Sequence, residues 1–354
     1  MTESTSPRTA PTRLLVTGAT GFIGCRLAQH ALRLGIDTLA TGRAESTVEI
    51  ARARELQQAK VPLVLGVLQD REFVRELVAG RTTVIHLAAA QHETDKDEAY
   101  FRAANVEGTR NLLEACAAAG AQRFVYGSTI GVYGAAGHRA LDESSPVQPD
   151  NMYTRSKLEA EDVVRSFAQR VQTCIVRIPE TYGPGDERLL KLFRGIALGR
   201  YMTIGAGTNR RQCLHVQDLG DALLLAAHHP AAVNQLFVLA GNEVLTTNEM
   251  VNLIATALGR PSPRARLPMW PFLAAARVME LTLPKLGVQP PLNTRRLDFF
   301  RKSFVFSTAK AQELLGFRPR IDFRHGAADT IAWYRARGLL PTASATELHP
   351  TETT

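Results

Sequence analysis

The sequence predicts an α/β protein built on a doubly wound parallel sheet, with a smaller, interleaved C-terminal lobe. Two observations support this prediction. Short apolar runs rich in β-branched residues alternate with segments of helical spacing, as in parallel strands joined by helices. The first run, Arg13–Thr17, ends at a glycine-rich turn, and helical spacing over residues 22–34 follows directly. Sheets of this kind bind ligands at the carboxyl ends of their strands.

The remaining elements follow from the same two periodicities. Further strands are predicted at residues 36–41, 61–65, 84–87, 123–126, 173–178 and 235–239. Helices are predicted over about residues 100–119, 153–168, 189–198 and 248–258, and the stretch 214–227 is also regular. Pro179 ends one strand, and after Pro184 the pattern loosens into helical pieces separated by glycine and proline.

These patterns divide the chain into two main parts. Residues 13–185 are predicted to form the sheet domain, and residues 186–340 mainly the smaller lobe, with 213–243 returning to the sheet domain. Residues 1–12 are predicted to be a disordered tail without the apolar region of a signal peptide, and residues 341–354 a polar tail. Charged residues and a proline interrupt the longest apolar-rich stretch, 269–288, which makes a membrane span improbable there.

Composition narrows the function classes. The 354 residues carry a formal net charge of +8, but no Lys/Arg run of the kind found in nucleic-acid arms. The excess suits an anionic small molecule such as a phosphorylated cofactor, and most of it is expected to be a solvated surface. The four cysteines form no CxxC pair and have no accompanying histidine cluster, so the sequence predicts no metal site. Sparse, unpaired cysteines suit a cytoplasmic protein.

The glycine-rich turn has the spacing of a dinucleotide-binding loop. Gly18 permits a tight turn, Gly21 lets the backbone approach a pyrophosphate, and Gly24 lets the helix pack closely on its strand. The amides of the helix N-terminus, with Phe22 and Ile23, face the phosphates. A glycine-rich turn without a ligand is the alternative, and the position at the first strand–helix junction favours the cofactor.

The end of the second strand bears on which cofactor is bound. A carboxylate at this point would bind the adenosine ribose 2′-hydroxyl and favour NAD, but the sequence has Gly42 and Arg43. Gly42 leaves room, and Arg43 can pair with a 2′-phosphate. The sequence therefore favours NADP over NAD, with a plain surface role for Arg43 as the alternative.

A tyrosine and a lysine four residues apart indicate acid–base chemistry. Tyr153 and Lys157 share one face of a predicted helix. An ammonium beside a phenol favours the phenolate, which can take a proton from an alcohol or return it in the reverse reaction. Such a pair is common by chance, but a hydroxyl-bearing strand end lies upstream, where Ser128 or Thr129 can bind the substrate oxygen.

These segments together resemble the extended short-chain dehydrogenase/reductase family, also called the NAD-dependent epimerase/dehydratase family. They follow the family's order and spacing over most of residues 13–240. The segments are TGATGFIG (17–24), HLAA (86–89), NVEGTRNLLEA (105–115), STIGVYG (128–134), YTRSK (153–157), RIPETYGPGD (177–186) and HVQDL (215–219). Beyond residue 240 the resemblance is looser, although TAKAQELLGFRP (308–319) is similar to the family's late helix and the loop after it.

The resemblance implies a Rossmann-like NAD(P)-binding domain, a substrate-binding lobe and, by default, a homodimer. It implies Thr129 as the catalytic hydroxyl, Tyr153 as acid/base and Lys157 as its partner. The implied cofactor-binding residues are Gly18, Gly21, Phe22, Ile23, Gly24, Arg43, Leu68, Ala88, Asn105, Tyr153, Lys157 and Pro179. For Asn105 a capping or packing role is the alternative, and His86 is expected to be structural.

The sequence departs from the family pattern in two ways. Val67 stands where the family often has an aspartate that contacts adenine. Glu180 stands where nucleotide-sugar epimerases commonly have a carboxamide that meets the sugar-nucleotide diphosphate, and a carboxylate there is unfavourable. Arg211, in contrast, matches a basic position that those enzymes use for phosphate.

Three functions are compatible with these residues. The leading one is hydride transfer between NADP(H) and a secondary alcohol or ketone of a largely apolar substrate, because the region around 268–300 resembles the 3-beta-hydroxysteroid dehydrogenase-like branch. The second is a nucleotide-sugar epimerase or dehydratase with tightly bound NAD. The third is a catalytically silent NAD(P)-binding regulatory protein. The apolar stretch 269–288 is predicted to be a lid or ordinary core, with a weak membrane-surface contact as a further alternative.

Overall fold

The computed structural model describes residues 12–91, 96–134, 139–283, 288, 290–292 and 294–341. All but one residue of each predicted tail therefore lies outside the described residues, as does part of the apolar stretch 269–288. Within the described residues, no helix combines the length and apolar character needed to cross a membrane.

The described residues form the strands β1 (Arg13–Thr17), β2 (Asp37–Gly42), β3 (Leu63–Leu65), β4 (Thr83–His86), β5 (Arg123–Thr129), β6 (Gln172–Ile178), β7 (Thr181–Tyr182), β8 (Thr203–Ile204), β9 (Arg210–Arg211), β10 (Leu214–His215), β11 (Gln235–Val238), β12 (Leu245–Thr246) and β13 (Arg266–Leu267). Seven of these strands form one parallel sheet in the order β11-β6-β5-β4-β1-β2-β3, which confirms the predicted fold class. The strand order reverses between β1 and β4, and a sheet of this topology binds ligands at that point.

Helices cover both faces of the sheet. They are α1 (Phe22–Arg33), α2 (Thr47–Gln58), α3 (Arg71–Val78), α4 (Glu98–Arg102), α5 (Gly108–Ala119), α6 (Met152–Ser166), α7 (Leu190–Ala197), α8 (Val216–His228), α9 (Thr247–Ala257), α10 (Met269–Thr282), α11 (Thr294–Arg301), α12 (Ala309–Leu315) and α13 (Phe323–Ala336). The buried residues of α1, α2, α8 and α12 form the core on one face. Those of α3, α5 and α6 form the core on the other.

A third core belongs to the smaller lobe and joins α7, α9 and α13. The chain passes between the two parts more than once: β11 completes the main sheet beside β6, and Ala311, Leu315 and Phe317 place α12 in the core of that sheet. The second return lies outside the segment 213–243, which the sequence predicted to rejoin the sheet domain. The exact domain boundaries remain a prediction.

Candidate active site

The glycine-rich turn between β1 and α1 packs so tightly against neighbouring backbone that no side chain fits at Gly18 or Gly24. Gly18 has φ +67°, and a Cβ there would lie 2.6 Å from the Ala88 nitrogen at the end of β4. A Cβ on Gly24 would lie 2.3 Å from the Gly18 oxygen. Both distances are shorter than any real Cβ contact, so these positions require glycine, and the backbones of the turn, the helix and the neighbouring strand end are in direct contact.

An open cleft lies over this turn, at the carboxyl ends of β1, β2, β3 and β4. Its lining includes five of the residues predicted to bind the cofactor: Gly18, Gly21, Arg43, Leu68 and Ala88. Gly21 is the N-cap of α1, no side chain caps that end, and its first turn has no acidic residue. An uncapped helix N-terminus above a cradle of glycines is a site for a pyrophosphate, so the residues present fit a dinucleotide.

Three other predicted cofactor residues, Phe22, Ile23 and Pro179, do not line this cleft. Phe22 and Ile23 begin α1, where their backbone belongs to the helix N-terminus. The Phe22 ring packs under the Arg188 guanidinium at 5.8 Å, and Ile23 packs against the main core. Pro179 is buried after β6, and its carbonyl accepts a hydrogen bond from Thr181 at 3.1 Å. Their contacts with a cofactor remain predictions.

Arg43 lies at the edge of the cleft, as the sequence predicted, and has acidic neighbours. Its guanidinium donates a hydrogen bond to the Tyr100 phenol at 3.1 Å and lies 3.7 Å from each of the Glu45 and Glu49 carboxylates. Glu49 also lines the cleft. The arginine is therefore positioned by other side chains, and an anion entering here would meet both Arg43 and a carboxylate.

The helix that carries Tyr153 begins with a reciprocal cap. The Asn151 side chain accepts from the Thr154 amide, and the Thr154 hydroxyl contacts the Asn151 backbone in return. Tyr153 is the second residue of α6 and packs with Ala90 and Phe101. Ala90 also lines the cofactor cleft, so the tyrosine packs behind the cleft wall, although it is not itself a lining residue.

Lys157 is buried on the same helix. Its ammonium lies 4.1 Å from the centroid of the Tyr126 ring, and the side chain is 2% exposed. Burial lowers the pKa of Lys157 to about 7, against the opposing effect of the Glu161 carboxylate. The sequence identified the lysine but missed Tyr126, whose position beneath it depends on how α6 packs on β5.

Ser128 and Thr129, the two hydroxyls at the end of β5, have different surroundings. Ser128 is buried and donates a hydrogen bond of 2.6 Å to Glu161. Thr129 is half-buried, and its hydroxyl accepts from the Gly131 amide at 3.1 Å, which leaves its proton available for donation. The geometry thus favours Thr129 over Ser128 as the hydroxyl that can bind a substrate oxygen.

A buried ion pair anchors this strand end. The Arg177 guanidinium donates to both carboxylate oxygens of Glu161, at 3.0 and 2.9 Å, and to the Tyr133 hydroxyl at 2.8 Å. Burial raises the pKa of Glu161, but Arg177, Ser128 and Arg165 outweigh it and hold the pKa below its usual range. The sequence pattern does not predict this pair, although Glu161 follows Lys157 by four residues and shares its helix face.

Asn105 connects the cleft wall to the tyrosine helix. Its amide nitrogen donates to the Ala90 carbonyl at 3.0 Å and to the Ser156 hydroxyl at 2.8 Å, while its oxygen accepts from the Ala90 amide at 2.7 Å. The residue lies in a π-helical turn, Ala103–Glu107, which splits the predicted helix 100–119 into α4 and α5. Both amide protons are used, so its role in this structure is to hold Ala90 against α6.

His86 is buried in a chain of hydrogen bonds. The Thr17 hydroxyl accepts from the Leu87 and Ala88 amides and therefore donates its own proton to His86 Nδ1, at 2.6 Å. This assigns the remaining ring proton to Nε2, which lies 2.9 Å from the Thr109 hydroxyl. Burial and the nearby Lys157 charge lower the pKa of His86 to about 3, so the ring is neutral. Its role is structural, as expected.

The buried lysine leads to a pH prediction for the protein without nucleotide. An unfolded lysine keeps its proton to about pH 10.5, whereas the pKa of Lys157 in the fold is about 7. Between these values the unfolded chain binds more protons, so the free energy of unfolding rises with pH. We expect Lys157→Met to remove this rise and Lys191→Met, at an exposed lysine, to retain it. Urea unfolding at pH 7 and pH 9.5 measures the change in the free energy of unfolding with pH. An equal change in the parent protein and both variants would contradict the prediction.

Glu180 and Arg211, the two residues that the sequence relates to a substrate phosphate, form an ion pair with each other. The guanidinium of Arg211 donates to both carboxylate oxygens of Glu180 and to the Phe299 carbonyl. The Phe299 ring lies 3.9 Å from the same guanidinium, and Arg211 is 3% exposed. Burial raises the pKa of Glu180, but Arg211 outweighs it and holds the pKa below its usual range. The charge of Arg211 is therefore neutralised within the protein.

A parallel sheet whose strand order reverses at a glycine cradle, with a tyrosine packed behind the cleft wall and a buried lysine on the same helix, defines an enzyme of the NAD(P)-dependent short-chain dehydrogenase/reductase class. The chain belongs to the NAD-dependent epimerase/dehydratase family, whose model matches residues 14–240. The resemblance found in the sequence is confirmed, and so is its conclusion that the protein is an enzyme.

Relatives in this family differ in what they act on. The chain is 30% identical to a dTDP-glucose 4,6-dehydratase of Streptomyces antibioticus, over 91% of this chain and 92% of the relative. It is 28% identical to a 3-beta-hydroxysteroid dehydrogenase of Mycolicibacterium neoaurum, over 92% of both chains. The crystal structure of MoeE5 with UDP-glucose and NAD is similar with a TM-score of 0.71 and 26% identity, covering 92% of this chain and 99% of that one.

Proposed function

We propose that this enzyme transfers hydride between NADP(H) and a secondary alcohol or ketone of a largely apolar substrate. The observation that supports the proposal is the ion pair in which the Arg211 guanidinium binds both carboxylate oxygens of Glu180. A sugar-nucleotide diphosphate needs free positive charge, and here the arginine at the position implied for that role is already paired with a carboxylate. The Phe299 ring against the same guanidinium adds an apolar surface beside it.

The proposed chemistry of the chain depends on three side chains, Thr129, Tyr153 and Lys157. A bound nicotinamide supplies the hydride acceptor for an alcohol or the hydride donor for a ketone. Thr129 donates a hydrogen bond to the substrate oxygen and aligns it with the phenol of Tyr153. Tyr153 takes the hydroxyl proton in oxidation and returns it to the carbonyl oxygen in reduction. Lys157, when protonated, stabilises the phenolate; the Tyr126 ring lies under the ammonium, and the charge of Glu161 favours its protonated form.

A nucleotide-sugar epimerase or dehydratase is the second candidate. The dTDP-glucose dehydratase relative and MoeE5, which was crystallised with UDP-glucose, support it. The steroid dehydrogenase relative supports the first candidate at similar identity. Both use the same tyrosine, so the distinction depends on the substrate lobe and on whether the cofactor exchanges.

The nucleotide content of the purified protein after denaturation separates the two candidates. An epimerase or dehydratase regains its hydride in each cycle and can keep its cofactor, whereas a dehydrogenase must exchange it at every turnover. We expect protein without bound nucleotide that binds NADPH more tightly than NADH. Near-stoichiometric NAD released on denaturation would overturn the proposal in favour of the sugar-modifying candidate.

The preference for NADP is proposed from Arg43. Gly42 is tightly packed, since a Cβ there would lie 2.4 Å from the Thr20 hydroxyl, and the next side chain at the cleft edge is a guanidinium. We expect Arg43→Ala to weaken NADPH binding by about tenfold to a hundredfold, the loss of one or two charge-assisted hydrogen bonds. NADH binding should change little, and so should both affinities in Arg54→Ala, at an exposed arginine. Equal losses for NADPH and NADH in Arg43→Ala, measured by titration, would contradict the preference.

The cytoplasmic location and the homodimer expected from the sequence remain predictions. The free thiols of Cys25, Cys116, Cys174 and Cys213 are consistent with a reducing compartment.

A further inference from the structure

Helix α10 exposes an apolar face that the rest of the described protein does not cover. Trp270 is 72% exposed, Val278 59% and Leu281 69%. At 100° per residue these three side chains fall within an arc of about 80°. Most residues of α10 are apolar, yet only Ala276 is buried. A helix that is apolar nearly all round is normally covered, so this face is an interaction surface.

The chain around this face is strongly basic. Residues 251–297 contain seven lysines and arginines and a single acidic residue, Glu280. Arg260, Arg264 and Arg266 are exposed directly before α10, and Arg277 is exposed on the helix itself. The carboxylate of Glu280 accepts two hydrogen bonds from Thr294, at 2.8 and 2.9 Å, and so ties α10 to α11.

We propose that α10 lies on an anionic phospholipid surface, with the Trp270 face in the headgroup and acyl boundary and the surrounding arginines against lipid phosphates. A tryptophan and aliphatic residues beside several basic side chains are the composition of interfacial helices. Arg277 lies about 20° from Trp270, at the edge of the apolar arc, where its long stem can stay among the acyl chains while the guanidinium reaches the phosphates.

A second copy of the chain is a weaker occupant for electrostatic reasons. A twofold contact through this face would bring Arg277 of each copy, and the basic segments around it, against themselves. Like charges brought together at a contact are unfavourable, whereas an anionic bilayer attracts each of them.

The segment that follows α10 contacts residues near the candidate active site. Beyond α11, the Lys302 ammonium pairs with the Asp150 carboxylate at 2.6 Å, three residues before Tyr153. Phe299 of α11 packs on Arg211, as described above. These contacts join the segment after α10 to the loop that precedes the tyrosine helix and to the Arg211–Glu180 pair.

A single-tryptophan variant tests the inference. The chain has two tryptophans, and Trp333→Phe leaves Trp270 as the only one. With vesicles of equal parts phosphatidylglycerol and phosphatidylcholine, we expect the emission of Trp270 to shift to the blue and to be quenched by brominated acyl chains. Phosphatidylcholine alone should give little effect, and added salt should weaken binding. Unchanged emission with the anionic vesicles would overturn the inference.

Flotation with the same vesicles gives the matched comparison. The double variant Trp270→Ser with Leu281→Ser should bind about tenfold more weakly or worse, because two apolar side chains leave the interface. Leu34→Ser, at a leucine that is 59% exposed elsewhere, should bind as the parent does. Equal binding by the double variant would overturn the inference. So would a vesicle-independent dimer that the double variant dissociates, since a second copy would then occupy the face.

Discussion

Replacing Tyr153 by Phe is expected to lower turnover by about a hundredfold to ten-thousandfold, the usual contribution of one general acid or base. The ring still packs with Ala90 and Phe101, so the cleft wall keeps its shape. What is lost is the proton carrier beside Lys157. Nucleotide binding should therefore stay close to that of the parent enzyme, and the loss should appear in kcat.

The measurement compares steady-state turnover with nucleotide titration for the same variant. Tyr201→Phe, at a half-buried tyrosine of the smaller lobe, makes the same chemical change away from the cleft and should leave turnover unchanged. If Tyr153→Phe retains full activity, the assignment of the acid/base to Tyr153 is wrong. The same variant tests a silent regulatory role, because such a protein would have no turnover to lose.

Replacing Arg177 by Met is expected to lower the free energy of unfolding by about 3–5 kcal/mol, because the buried Glu161 carboxylate loses its buried hydrogen-bonding cation and keeps Ser128 and the half-exposed Arg165 as partners. Glu161 is fully buried, and Arg177 binds both of its oxygens. The pKa of Glu161 lies below its usual range in the fold, so the pair contributes fully near pH 7 and is lost only as the pH falls through that lowered value.

Chemical denaturation at pH 7 measures this cost, and the chain offers a close control. Arg165 binds the same Glu161 carboxylate at 2.7 Å but is half-exposed, so Arg165→Met should cost less than about 1 kcal/mol. Changing both members of the buried pair, with Glu161→Leu and Arg177→Met, should recover much of the loss. Similar losses of unfolding free energy for Arg177→Met and Arg165→Met would contradict the prediction, because the buried pair would then contribute no more to stability than the exposed one.

Features that depend on neighbours along the chain could be predicted from the sequence. The turn at Gly18 to Gly24 is predictable because closely spaced glycines at the first strand–helix junction are typical of a dinucleotide-binding loop. Tyr153 and Lys157 were placed on one helix face because four residues make about one turn. Each predicted strand of the main sheet has at least one end within two residues of the observed end. The strand predicted at 123–126 extends to Thr129. In each case the signal and the structure lie within one element.

Features that join distant elements were decided only by the tertiary structure. The pairing of Glu161 with Arg177, the Tyr126 ring under Lys157 and the closure of Arg211 by Glu180 each require two elements at a particular packing distance. The sequence supplied the charges but not their partners, because contacts between elements depend on strand register and on how helices pack on the sheet. For the same reason only the structure shows that the Trp270 side chain is exposed to solvent. An apolar helix has the same sequence pattern whether or not another element covers it.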